Sequence, residues 1–251
     1  MPRMLRVARQ GATLLGLLAL AGCAGGNYTW GWYVVLPTSA RGWTNVTFLA
    51  GGLGYTIAMA LCALVLSMLM GLLVALPGLS TNRVARAANR VYVEAFRAVP
   101  MLVMVLWVYY GLPVVLGIAV GVFAAGVIAL ALCDSAFEAE IFRAGIESID
   151  RGQHEAAEAL GLNYLKKMRL VILPQAIRRI LPPLGNQFVY MLKTSSLISV
   201  IGYPELTRRA NELVVTEYRP LEIYTFLVLE YLVLIVAASS LVRWLEGRMA
   251  R

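Results

Sequence analysis

A few ionisable and hydroxyl side chains occur inside long apolar stretches of this sequence. Asp134 and Glu138 are four residues apart, and Lys193, Thr194 and Ser195 follow one another in a later stretch. A charged group in apolar surroundings is costly unless it is paired or serves a function, so these residues are candidates for contacting a polar or charged solute. Hydrogen bonding between helices is the alternative explanation, and the sequence leaves both open.

The stretches that carry these residues have the composition of membrane-spanning helices. The chain of 251 residues is 60% hydrophobic and 14% charged, whereas soluble domains are about 25% charged. Crossing a bilayer takes about 20 predominantly apolar residues. The sequence therefore predicts an all-α integral membrane helical bundle with five core transmembrane helices, at residues 53–76, 92–113, 123–146, 184–201 and 223–241.

Basic residues predict the orientation of these helices. Lys and Arg are enriched in the cytoplasmic loops of membrane proteins. Arginines and lysines cluster at 83–90, 166–179 and 243–251, so we expect these stretches on the cytoplasmic side and residues 27–51 outside. The net charge of +8 reflects this insertion bias, and nucleic acid is not an expected partner.

The first 50 residues form a signal-like or anchor-like region with an external aromatic-rich end, ahead of the transmembrane domain at 51–251. Three arginines precede the apolar run 12–21, and the Leu-Ala-Gly-Cys tetrad that ends at Cys23 resembles the lipobox of bacterial lipoproteins. A basic start followed by a short apolar core is typical of a signal peptide. Cleavage, lipidation at Cys23, a retained anchor helix and a start further downstream all remain open.

A polar, basic stretch lies between the third and fourth predicted spans. Residues 150–174, called the cytoplasmic segment below, carry good helix formers from Glu155 to Ala157, then Gly161, then the pair Leu173 and Pro174. We predict a short helix with an Ala face, a Gly that permits a bend, and a stop at Pro174, because Pro disrupts helix interiors.

The cytoplasmic segment resembles the coupling motif of permease subunits of bacterial ATP-binding-cassette (ABC) importers. The motif reads Glu-Ala-Ala, three residues, Gly, nine residues, then Ile-x-Leu-Pro. Val171 replaces the usual Ile, and the motif is matched at Glu155, Ala156, Ala157, Gly161, Leu173 and Pro174. The similarity to this family spans residues 50–248. Further stretches are similar to its polar amino acid branch, namely 52–56, 92–100, 139–146 and 193–197.

The resemblance implies the type I importer permease fold in a multi-pass protein of the bacterial cytoplasmic membrane that carries polar or charged amino acids. It also implies partners: ABC ATPase subunits that grip the cytoplasmic segment, a second permease chain, identical or not, and an external amino-acid-binding protein. The partner ATPase would use the ATP, so no cofactor is expected in this chain. Some members carry a substrate site in the membrane, for which the candidates here are Asp134, Glu138, Lys193, Thr194 and Ser195.

Two other kinds of protein were weighed on the residues themselves. A self-sufficient channel or ion-coupled carrier would use Asp134 and Lys193 as a relay. An enzyme is disfavoured, because the sequence has a single His, no G-x-x-x-x-G-K phosphate loop and no nucleophile–base pair. No catalytic and no metal-binding residues are therefore predicted.

Overall fold

The computed structural model describes residues 28–249, so the predictions for residues 1–23 lie outside the described part of the chain. Residues from Tyr33 onward form one compact unit. Residues 28–32 belong to a separate small unit, in which the indole rings of Trp30 and Trp32 stack with centroids 5.3 Å apart. The predicted division at residue 50 stays a prediction.

Helices account for most of the described chain, because backbone N–H and C=O groups inside a bilayer need partners within the protein. The α-helices are α1 (Ala40–Ala50), α2 (Gly52–Gly78), α3 (Arg83–Ala98), α4 (Met101–Leu106), α5 (Leu112–Leu116), α6 (Val122–Glu147), α7 (Arg151–Ala159), α8 (Tyr164–Lys167), α9 (Leu173–Thr194), α10 (Leu206–Glu217) and α11 (Pro220–Met249). Short 3-10 or π-helical stretches add Trp32–Val34, Trp107–Gly111, Met168–Ile172 and Ser195–Ile201.

Helix α6 lies at the centre of the bundle and contacts α2, α3, α4 and α9. Small buried residues on α6, among them Ala125, Ala129 and Ala136, let neighbouring helices approach closely. One close approach to α2 is at Gly71, where an added Cβ would lie 2.8 Å from the Cβ of Glu138. Asp134, Ser135 and Glu138 of α6 are therefore fully buried.

Apolar side chains on the outer helices face away from the protein and mark the lipid-facing surface. Leu69 and Leu73 on α2 and Val233 on α11 are more than half exposed. Such extensive exposed apolar surface is unusual in soluble proteins. Three described helical stretches are long and apolar enough to cross a membrane, and a fourth is added if the bent pair formed by α3 and α4–α5 counts as one span.

Two predicted spans differ from the structure at their cytoplasmic ends. The prediction of a span at 92–113 was wrong at its start, because α3 ends at Ala98 and the chain bends by 96° before α4 begins at Met101. Pro100 lacks the N–H that would continue α3 and disfavours a helical conformation at Val99, which is extended.

The predicted stop at Pro174 was also wrong. Pro174 lies in the first turn of α9, where a missing N–H costs nothing because first-turn amides have no partner within the helix. The helix that carries the predicted fourth span therefore begins at Leu173 rather than residue 184, and its 22 residues are about 33 Å long. It is not among the described stretches that are apolar enough to count as candidate spans.

Replacing Gly145 by Leu is expected to destabilise the bundle by about 1–3 kcal/mol, the usual cost of overpacking. A Cβ at this position of α6 would collide with the side chain of Ile180 on α9. Thermal unfolding of the detergent-purified protein measures the effect. Gly54→Leu is the matched control, since an added Cβ there meets nothing within 4 Å. Equal unfolding temperatures for the two variants would contradict this packing.

Candidate functional site

The cytoplasmic segment folds as a short helix with well-defined ends. The side chain of Asp150 caps α7 by accepting a hydrogen bond from the N–H of Gly152 at 2.6 Å. Asn163 caps α8 in the same way through the N–H of Lys166 at 3.0 Å. Side-chain caps satisfy amides that have no partner in the helix, so both helices begin where the sequence supplies a capping residue.

Gly161 ends α7 in the conformation that only glycine adopts readily. Its φ is +70°, and its N–H donates to the carbonyl of Glu158 at 2.9 Å. The N–H of Leu162 donates to the carbonyl of Ala157 at 3.1 Å, which completes a Schellman motif. The predicted bend at Gly161 is present, and its physical basis is this left-handed turn.

The two alanines of the motif differ in their exposure. Ala157 is 2% exposed and belongs to the interior of the segment, whereas Glu155 and Ala156 are exposed. Beyond the helix, Leu160 is 78% exposed and Leu165 is 75% exposed. Exposed leucines on the polar side of a membrane protein form a surface suited to a protein partner.

Polar contacts occur within the cytoplasmic segment and at the end of α6 that precedes it. Lys167 pairs with Glu158 at 2.6 Å. This hydrogen bond to Lys167, together with the charge attraction, holds the pKa of the Glu158 carboxyl below its ordinary value. Because the pKa is lowered, the pair stabilises the segment at neutral pH, and that contribution is lost as the pH falls through the pKa of Glu158. Arg179 on α9 also donates to the backbone carbonyl of Ser148.

Asp134 and Glu138 lie in a buried polar cluster between α2, α6 and α9, which we define as Ser67, Asp134, Glu138 and Gln187. Asp134 is fully buried and accepts hydrogen bonds from the amide of Gln187 and from the hydroxyl of Ser67, the latter at 3.5 Å. Directly after Asp134 on α6, the hydroxyl of Ser135 forms a hydrogen bond with the hydroxyl of Tyr92 at 2.9 Å. Three helices therefore bring their polar groups to one place.

Glu138 is fully buried one turn from Asp134, and within residues 28–249 neither of its carboxylate oxygens has a hydrogen-bond partner. Burying an unpaired carboxyl is costly, so native structures retain one only where it is compensated or used. Gly71 lies directly against its Cβ and leaves no room for a larger residue on α2. The cluster thus offers acceptor oxygens that the described residues do not fill.

The other three candidates do not join this cluster. Lys193 is exposed and lines an open groove of about 380 Å³ with Tyr231 and other residues of α11. The hydroxyls of Thr194 and Ser195 donate to carbonyls of their own helix, at 3.1 Å to Tyr190 and at 2.9 Å to Leu192. The five candidates therefore do not form a single site.

Ser67 and Gln187 were not among the candidates, although both contact Asp134. A signal for Ser67 exists in the sequence, since it is the single hydroxyl residue in the run from 57 to 79. Gln187 is a polar residue within the predicted span 184–201, but six residues separate it from Lys193, a rise of about 9 Å along a helix. Only the packing of the helices shows that Gln187, and not Lys193, contacts Asp134.

Comparison with known proteins places this architecture in a family. The family model described as "Binding-protein-dependent transport system inner membrane component" matches residues 67–251. The chain belongs to this family. It is a permease component of an ABC importer, and the identification made from the motifs is confirmed.

Individual relatives cover most of the permease. The glutamine transport system permease protein GlnP of Escherichia coli (strain K12) is 35% identical over 208 residues, 82% of this chain and 95% of the relative. The arginine transport system permease protein ArtQ of Bacillus subtilis (strain 168) is 34% identical over 205 residues, 82% of this chain and 94% of the relative. A crystal structure of an amino acid ABC transporter with histidines matches with a TM-score of 0.80 and 38% identity, covering 88% of this chain and 100% of that chain. The predicted fold class is confirmed.

Proposed function

We propose that this permease moves polar or charged amino acids across the bacterial cytoplasmic membrane. Transport would be driven by a separate ATPase that binds the cytoplasmic segment. The proposal is supported by the combination of family membership with a capped helix, α7, whose Glu155 and Ala156 are exposed. Relatives named for glutamine and arginine transport have nearly equal identity to the chain, which supports amino acids as the cargo class without favouring one of them.

The motif residues would contribute to coupling in two ways, by contacting the ATPase or by shaping the helix. Glu155 and Ala156 are exposed and available to the ATPase, whereas Ala157 and Gly161 shape the helix that presents them. Leu173 and Pro174 begin α9, so a displacement of α7 passes directly into a membrane helix that contacts Asp134 through Gln187. Closure of the ATPases on ATP would thus move the bundle as rigid bodies and open the path alternately to each side.

The remaining partners follow from the same assignment. The permease would work with two ATPase subunits, a second permease chain and an external amino-acid-binding protein, within the lipid of the inner membrane. The exposed groove that contains Lys193 suits a position beside the second chain, since a lysine in a membrane helix requires a polar path or partner. The chain itself is proposed to carry out no catalysis and to hold no cofactor.

The buried polar cluster is the proposed substrate contact within the membrane. Asp134 and Glu138 present carboxylate oxygens that suit the ammonium group common to all amino acids. Lys193 would contact the substrate carboxylate from the groove, and Thr194 and Ser195, which do not line that groove, would act beside it. A channel or ion-coupled carrier using Asp134 and Lys193 as a relay is not favoured, because no hydrogen bond among the described residues links them.

Transport by the reconstituted complex tests this proposal. Proteoliposomes holding the permease, its ATPase and its binding protein should accumulate a radiolabelled amino acid only when ATP is supplied to the ATPase side. Omitting the ATPase should reduce uptake to the level of empty liposomes. Uptake by the permease alone, without ATPase or ATP, would support the carrier and contradict the importer.

A further inference from the structure

A cavity of about 350 Å³, lined mainly by charged side chains, lies at the end of the bundle from which the cytoplasmic segment extends. The end of α2, one side of α3 and the last turns of α6 form its walls, and Arg90, Glu94, Arg97 and Arg143 are among its lining residues. We call it the arginine cavity. We propose that it binds the headgroup of an anionic phospholipid of the phosphatidylglycerol type. The assignment to the cytoplasmic leaflet rests on the orientation used in the proposed function.

Helix α3 is placed to lie along the membrane surface. It meets the segment formed by α4 and α5 at a bend of 96°, so it runs nearly perpendicular to the part of the chain that enters the membrane. Val84 and Val91, seven residues apart and therefore on one side of α3, are 77% and 67% exposed. The arginines at 83, 86, 90 and 97 occupy a different side. A basic amphipathic helix of this kind is typical of the bilayer interface, where it is attracted to anionic lipids.

Two arginines of the cavity have guanidinium groups whose N–H donors are not used within the protein. Arg90 and Arg97 are exposed, and neither donates a hydrogen bond or forms an ion pair within residues 28–249. Arg97 stacks on the ring of Phe137 of α6, with its guanidinium carbon 5.0 Å from the ring centroid. Seven residues separate the two arginines, so they lie on the same side of α3. Paired N–H donors of arginine match the oxygens of a phosphate, so a phosphodiester is a ligand that this pair suits.

The glutamates of the arginine cavity leave it with a net charge of +1, since four arginines face three glutamates. Arg143 binds two of these glutamates, Glu140 at 2.8 Å and Glu147 at 2.6 Å. The third, Glu94, accepts no hydrogen bond from residues 28–249. Phosphatidylglycerol carries a single negative charge on its phosphate and hydroxyl groups at the end of its headgroup. The phosphate therefore complements the arginines, and the hydroxyls complement the carboxylate of Glu94.

An apolar groove of about 420 Å³ lies on the same helix and extends to the bend between α3 and α4. Phe96 lines the groove, and the next residue, Arg97, lines the arginine cavity. Val99, Val103 and Trp107 are also among the residues of the groove. A free phosphate would leave the groove empty, whereas an acyl chain would cover its apolar surface. A ligand that carries a phosphate and a hydrocarbon chain therefore matches both surfaces, and a phospholipid is such a ligand.

Contacts between helices hold the walls of the arginine cavity in place. Asn89 of α3 is buried, and its amide donates to the carbonyl of Val74 on α2 at 2.6 Å. A Cβ added to Gly78, at the end of α2, would lie 2.9 Å from the side-chain oxygen of Asn89, so the two helices approach closely there. A lipid can therefore bind without first ordering these walls, which lowers the cost of binding.

Native mass spectrometry of the detergent-purified chain, alone and with its ATPase, tests the inference. We expect one dioleoylphosphatidylglycerol to stay bound at a lipid concentration that leaves dioleoylphosphatidylcholine and dioleoylphosphatidylethanolamine unbound. Replacing Arg90 and Arg97 together by Gln should weaken phosphatidylglycerol binding by about tenfold or more, because each arginine near the surface adds to the attraction for anionic lipid. Replacing both by Lys should weaken binding less, since the charge is kept and only the paired donors are lost.

Arg83→Gln combined with Arg178→Gln is the matched control. It removes the same charge from two exposed positions that do not line the arginine cavity, so lipid binding should stay within about twofold of the wild type. A second measurement uses the wild-type cavity. Because Trp107 lines the groove, phosphatidylglycerol with brominated acyl chains should quench the fluorescence more strongly than brominated phosphatidylcholine at equal content in vesicles. Trp107→Phe should remove that difference.

Equal retention of a zwitterionic lipid, or an equal loss of binding in the control variant, would overturn the inference. Displacement of the lipid by glycerol phosphate at a comparable concentration would also overturn it, because the cavity would then bind a soluble anion. A permease dimer that retains no lipid would assign the groove to the second chain instead. None of these measurements involves uptake, so their failure is distinguishable from a failure of the importer assignment.

Discussion

Replacing both Leu160 and Leu165 by Asp is expected to abolish co-purification of the ATPase with the permease. The two side chains are 78% and 75% exposed on the cytoplasmic segment, and burying a leucine at an interface contributes about 1.5–3 kcal/mol. Losing both would weaken binding by about a hundredfold or more, since each 1.4 kcal/mol is a factor of ten. Detergent pull-down of the ATPase through a tag on the permease measures the loss.

Val215→Asp is the matched control for that pair. Val215 is 68% exposed, but it lies on α10, which the orientation of the helices assigns to the outer side. It should leave ATPase binding unchanged. An ATPase that stays bound to the Leu160/Leu165 double variant would contradict the assignment of the segment as the coupling surface, as would retention after Glu155 and Gly161 are both replaced by Arg.

Asp134→Asn is expected to lower ATP-driven uptake of a labelled amino acid at least tenfold in the reconstituted complex. Asn has nearly the same shape and keeps an oxygen for the hydrogen bond from Gln187, so packing is preserved while the charge is removed. Hydrogen bonds to charged groups contribute about 1.5–3 kcal/mol, a factor of about 10 to 150. Glu138→Gln should act in the same direction, because its oxygens have no partner among residues 28–249.

Glu230→Gln is the control for those two variants. Glu230 is a half-buried acid on α11, outside the buried polar cluster, and one of its oxygens likewise has no partner in the described chain. Its uptake should stay within twofold of the wild type. If Asp134→Asn transports normally but unfolds at a lower temperature, the cluster only joins helices, and the alternative left open by the sequence would be correct.

Helices α2 and α6 were predictable almost to the residue, because each is a long run of apolar residues. The predictions 53–76 and 123–146 compare with Gly52–Gly78 and Val122–Glu147 in the structure. The beginnings of α4 and α9 were not predictable, because Pro100 and Pro174 are each compatible with either the end or the start of a helix. A proline ends a helix when it follows one and favours a helix when it occupies the first turn, and neighbouring helices decide between the two.

The sequence alone determined that this is a helical membrane bundle of the importer permease type and that residues 150–174 contain a short helix followed by a bend at Gly161. Those properties depend on composition and on short motifs whose spacing is read along the chain. Tertiary structure alone decided that Asp134 meets Ser67 and Gln187 while Lys193 faces a separate groove. Contacts between helices depend on how each helix is rotated and how closely it approaches, here through Gly71 against Glu138, and neither quantity is encoded in spacing along one chain.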